Sequence, residues 1–154
     1  MRLLSSAIAC LAFISAVCSL PIPDGSTGNE INSQKEQIYK RLNELRASHN
    51  LPSLTQSSCW AQVAEDNSIA LSNTAGYNAN RGFSAAQTID GGKCGSSSSN
   101  SAWKLEWTQA NGFEIIADID NNYANSNFFS SANEVGVAAV GNYGTISYWT
   151  ITFG

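Results

Sequence analysis

The spacing of apolar residues changes once along the chain, from a helical period to a strand period. Ile38, Leu42 and Leu45 form a helical stripe behind the capping box Ser33-Gln34-Lys35-Glu36, and Asn50 with Pro52 stops it, which predicts a helix over about 34–49. After the connector Leu51-Pro52-Ser53-Leu54, a second helix is predicted over about 57–72. Trp60, Val63, Ala64, Ala70 and Leu71 share its stripe, and Ser57 or Ser58 can cap it. Residues 73–101 are rich in Asn, Gly and Ser and read as loop, with a short helical turn near Ser84–Thr88. Trp103 and Trp107, one helical turn apart, suggest a third helix over 102–110 that Asn111-Gly112 ends. A fourth, over about 113–123, would carry Phe113, Ile116, Ile119 and Tyr123 on one side.

From residue 135 the period is two. Val135, Val137 and Ala139 alternate with Gly136, Ala138 and Val140, and Ser147, Trp149, Ile151 and Phe153 alternate with Tyr148, Thr150 and Thr152. Such β-branched and aromatic alternation predicts two strands, with Gly141-Asn142-Tyr143-Gly144 as the hairpin loop. Helices first and strands last argue for an α+β layered domain and against a Rossmann fold.

The N-terminus has its own pattern. Arg2, an apolar run from Leu3 to Val17 and the small exit Val17-Cys18-Ser19 have the order of a cleavable signal peptide over residues 1–19. The run is too short for a membrane anchor across about 30 Å of hydrocarbon. Residues 20–32 read as a flexible lead-in and 33–154 as one domain. The expected location is therefore secreted and extracellular, with no membrane span. The net charge of −4 has no basic stripe, so nucleic acid is not an expected partner. Of four cysteines, Cys10 and Cys18 leave with the signal. Cys59 and Cys94 remain, and a lone pair in an oxidising compartment is expected to form one disulfide, the alternative being two buried thiols.

Three stretches together resemble the CAP superfamily (the SCP domain of cysteine-rich secretory proteins, antigen 5 and pathogenesis-related proteins). Asn43-Glu44-Leu45-Arg46-Ala47 with Pro52-Ser53-Leu54-Thr55 is similar to that family's first helix and its exit. Glu134-Val135-Gly136-Val137-Ala138 and Tyr148–Gly154 are similar to its last two strands. The resemblance spans roughly 36–154 and implies a three-layer α-β-α sandwich with a small antiparallel sheet between helices. Many members hold a divalent metal in a cleft of two His and two Glu. Here the only His is His49, at the exit of the first helix, where a solvated imidazole suits the helix dipole. Tyr123 falls where the second His would stand, Gly92 in Gly91-Gly92-Lys93 replaces one Glu, and Glu106 in Trp103-Lys104-Leu105-Glu106 alone matches the other. A degenerate cleft of Gly92, Glu106 and Tyr123 is thus expected, with no metal and no cofactor, because one carboxylate cannot build such a site.

No catalytic residue is assigned. No Gly-x-Ser-x-Gly elbow is present, and the best carboxylate pair, Glu114 and Asp118, lies on one helical face, where solvated acids are common. The leading expectation is a non-enzymatic binding protein. Relatives that bind sterols or fatty acids imply such a ligand, with Trp107, Phe128 and Phe129 as candidates for an apolar groove. A protein-interaction factor acting through the 73–101 loops on an extracellular protein is the second reading, and a cryptic hydrolase the third.

Overall fold

The computed structural model describes residues 28–75, 82–95, 102–108, 112–142 and 146–154. The expected signal peptide, residues 1–19, and residues 20–27 of the expected lead-in lie outside the described residues. Among the described residues, four helices and five strands follow in the order α1 (Gly28–Ser48), β1 (Thr55–Gln56), α2 (Ser58–Ala75), β2 (Gly82–Ile89), β3 (Ala102–Thr108), α3 (Gly112–Tyr123), α4 (Asn127–Ser131), β4 (Glu134–Asn142) and β5 (Ile146–Phe153).

Helix α1 starts a turn and a half before the capping box, so residues 28–32 are helix and not lead-in. Ile31 packs against the core and draws this first turn in, and Ser33 stands inside the helix. The other end closes on Asn50, which takes the left-handed conformation (φ 57°) while the Leu51 N–H bonds to the Arg46 carbonyl. Asn43 and Arg46 then hold the connector. The Asn43 side chain accepts from the Leu54 N–H at 2.7 Å and donates to the Leu54 carbonyl at 3.3 Å. Arg46, 1% exposed, donates to the carbonyls of Pro52, Phe129 and Ala132 and lies over the Phe129 ring. These carbonyls stand in for the water that burial removes, though the desolvation still lowers the guanidinium pKa.

The strands form one sheet in the order β1-β4-β5-β3-β2. All pairs are antiparallel except β1 with β4, which is parallel, so the expected antiparallel sheet is mixed. Helices α1, α3 and α4 cover one face and α2 the other, which gives three layers. The first face buries Leu105, Trp107, Val135, Val137, Trp149, Ile151 and Phe153 against Ile38, Leu42, Ile115, Ile119, Phe128 and Phe129. The second face of β5 looks polar in sequence but is fully covered: Tyr148, Thr150 and Thr152 are each 0% exposed. Thr150 shares a 3.0 Å bond with Ser68 of α2, and Thr152 donates to the Trp60 carbonyl at 2.9 Å. At Gly136 the α2 backbone meets the sheet so closely that a Cβ would fall well under 3.0 Å from Trp60 and Ala61 backbone atoms.

Two predicted elements are corrected. The region read as a third helix is the strand β3. Trp103 and Trp107 are four apart, an even spacing, so they share a strand face as readily as a helix face. Leu105 joins them toward the first core, while Ala102, Lys104 and Glu106 face α2. The helical turn near Ser84–Thr88 is strand β2, whose alternation is broken by a bulge between Ser84 and Gln87. A single 3-10 turn over Gly91–Cys94, capped by Asp90, follows it.

Both sheet margins end on a tyrosine hydroxyl. Beyond two-residue β1, the outward Val137 N–H of β4 donates to the Tyr39 hydroxyl at 3.1 Å. At the bulge of β2, the Ala86 N–H donates to the Tyr123 hydroxyl at 3.3 Å. Burial raises the Tyr39 pKa above 10.0, partly offset by that N–H, with nearby Glu36 adding to the rise.

Candidate functional site

The three residues expected to form a degenerate cleft are not brought together. Glu106 is 7% exposed on the α2 face of β3. Its Oε1 accepts from Lys104 Nζ at 2.9 Å, and the same ammonium donates to Asn67 Oδ1 of α2 at 3.0 Å. Tyr123 is on the other side of the sheet, with ring centroids 5.7 Å from Phe83 and 5.4 Å from Phe128. Gly92 sits in the 3-10 turn, its N–H bonded to Asp90 Oδ1 at 2.9 Å. That turn is tied to the start of α2 by the Cys59–Cys94 disulfide, with the Cα atoms 5.7 Å apart across 35 residues of sequence. Among the described residues no group of three His, Cys, Asp or Glu side chains is placed to hold a metal ion.

The groove candidates fail for a different reason. Trp107, Phe128 and Phe129 are 1%, 6% and 0% exposed, so they fill the core and cannot line an open groove. Trp107 also donates its indole N–H to Asp118 Oδ2 at 3.0 Å. This engages half of the Glu114–Asp118 carboxylate pair in holding α3 to β3. His49 follows the last turn of α1, with its backbone N–H bonded to the Leu45 and Arg46 carbonyls. Within the 73–101 stretch, Phe83 of β2 keeps 37% of its surface exposed; residues 76–81 and 96–101 lie outside the described residues.

An open depression does exist, between α1 and α3. It has a volume of about 390 Å³ and is lined by Gln37, Lys40 and Arg41 of α1 and Gly112, Ile116, Ala117 and Asp120 of α3. Gly112 starts α3 beside α1: a Cβ there would stand 3.5 Å from Ile38, an ordinary contact, and the Gly112 N–H donates to Gln34 Oε1 at 3.4 Å. Ile116 and Ala117 supply an apolar wall, which the alkyl stems of Lys40 and Arg41 extend. The rim is charged. Lys40 Nζ lies 3.9 Å from Glu44 Oε1, Arg41 Nη1 bonds to Glu44 Oε2, and Asp120 stands on the opposite bank. An apolar wall under a few polar groups suits an amphiphile. Sequence reading missed this site because its residues are unremarkable one by one. Only the i, i+3 and i, i+4 spacing of Gln37, Lys40 and Arg41 placed them on one outer face.

Comparison with known proteins agrees with the layered fold. An outer surface protein from Borrelia burgdorferi superposes with a TM-score of 0.54 at 13% identity, covering 79% of this chain and 92% of that one, a likeness of fold alone. A comparison with curated protein sequences returns no match. The model of the cysteine-rich secretory protein family matches residues 39–153, which include the Asn43–Arg46 clamp, the whole sheet, helices α2, α3 and α4 and the second half of α1. The chain belongs to this family, the CAP family.

Proposed function

We propose that this is a secreted, non-enzymatic CAP-domain protein that binds a single acyl chain, as a fatty acid or an ester of one, in the groove between α1 and α3. The observation that carries this reading is the groove itself, with its apolar wall under a charged rim. Its volume lies near the lower end of ligand pockets, about 300–1,000 Å³, which favours one alkyl chain over a bulky sterol. A non-catalytic role is supported by Glu106, whose carboxylate is engaged by Lys104 beneath α2. Recognition of an extracellular protein is the second reading, favoured by the exposed ring of Phe83 within the 73–101 stretch.

The test is lipid extraction and mass spectrometry on protein collected from a secreting host, followed by titration with palmitate. A one-to-one bound chain is expected, lost at least tenfold in Ala117→Trp, which fills the groove without touching the core. Saturable binding that Ala117→Trp leaves unchanged would move the site elsewhere, and no bound chain in either measurement would favour the protein-binding reading.

A further inference from the structure

We propose that the α1–α3 groove selects its amphiphile by a zwitterionic headgroup, a phosphocholine on a single acyl chain, over a plain anion. The headgroup assignment depends on that groove holding an alkyl chain. Its basis is the charge layout of the rim. Lys40 and Arg41 stand on the α1 bank and Asp120 on the α3 bank. Glu44, one turn further along α1, pairs with both cations. Two positive and two negative side chains therefore sum to zero, and the rim offers an anion no net attraction. A carboxylate near Lys40 and Arg41 would also feel Asp120 and Glu44. A phosphocholine meets both banks: its phosphate lies toward Lys40 and Arg41, and its trimethylammonium crosses to Asp120. Gln37, also on the α1 bank, supplies an amide donor for a phosphate or glycerol oxygen.

The experiment is isothermal titration of the full mature chain with palmitoyl lysophosphatidylcholine, palmitoyl lysophosphatidic acid and palmitate, each below its micelle concentration. The wild type should bind the choline lipid tighter than either anion by about threefold, the scale of one exposed ion pair. Asp120→Asn should remove that preference while keeping the chain bound, and Ala117→Trp should abolish all three isotherms. Tighter binding of either anion by the wild type, or a preference untouched by Asp120→Asn, would overturn the headgroup assignment and leave the groove standing. No isotherm for any of the three, or isotherms that Ala117→Trp does not weaken, would overturn the groove and the headgroup together.

Discussion

Substituting Gly136 by alanine adds one methyl group where α2 crosses β4. The new Cβ would meet backbone atoms of Trp60 and Ala61 at under 3.0 Å, and backbone cannot swing aside as a long side chain can. To restore ordinary contact, α2 must lift from the sheet by roughly 1 Å, the kind of overpacking shift that costs about 1–3 kcal/mol. Lifting stretches the 2.9 Å bond from Thr152 to the Trp60 carbonyl and the 3.0 Å bond between Ser68 and Thr150. Each is buried, so each adds about 1 kcal/mol. The lower chain entropy of alanine in the unfolded state returns only about 0.4–1 kcal/mol. The net loss is about 3–4 kcal/mol, a large part of a stability of about 5–15 kcal/mol. Denaturant titration should show it directly, and Tm should fall by about 10–20 °C. Gly141→Ala, on the same strand, is the control: its Cβ would meet Ile31 Cδ1 at 3.6 Å, an ordinary contact, so it should be neutral or slightly stabilising. A Gly136→Ala protein that melts within about 2 °C of the wild type, far less than the expected fall, would refute the close approach of α2 to the sheet.

Non-reducing peptide mapping should recover a cross-linked Cys59–Cys94 peptide, and Cys94→Ser should lower stability by about 2–4 kcal/mol; two alkylatable thiols in the isolated protein would count against the bridge. Tyr39 gives a pH prediction. Its folded pKa is raised above 10.0, so the folded state holds the phenol proton more tightly. Its contribution is complete below about pH 10 and is lost as pH climbs through the folded value. Denaturant midpoints measured up to about pH 11 should fall more steeply for the wild type than for Tyr39→Phe, and parallel curves would contradict a buried phenol.

The sequence was most readable where one period had one interpretation. The C-terminal hairpin pairs Val135 with Phe153 through Asn142 with Ile146, as its alternation implied, although Gly141 and Asn142 extend the strand beyond the expected loop start. Reading failed where a spacing served two periods, as with Trp103 and Trp107, or where a bulge broke the alternation, as between Ser84 and Gln87. Helix α4 was missed because five residues show no period; its one local signal is Ser126, whose side chain accepts from the Phe129 N–H. The family motif was legible as a pattern, but its physical content was not. Asn43 and Arg46 act on carbonyls and N–H groups of the connector and of α4, the latter more than 80 residues away. The groove was the least legible part, since it exists only where α1 and α3, far apart in sequence, lie side by side.

The two tyrosine hydroxyls bear on how the protein behaves in a crowd of its own copies. A sheet margin with bare N–H groups is a template on which another chain can lay a strand, and repetition of that step builds fibres. Here a phenol already holds one N–H on each side, at Val137 and at Ala86. A strand arriving at either margin would have to displace a bond that is already made, and on the β2 side it would also meet a bulge that spoils its register. Replacing both phenols by phenylalanine would keep the rings and the packing but reopen the two docking points. The effect would show in colloidal behaviour at high concentration, as strand-by-strand growth, more than in the melting temperature of the isolated molecule.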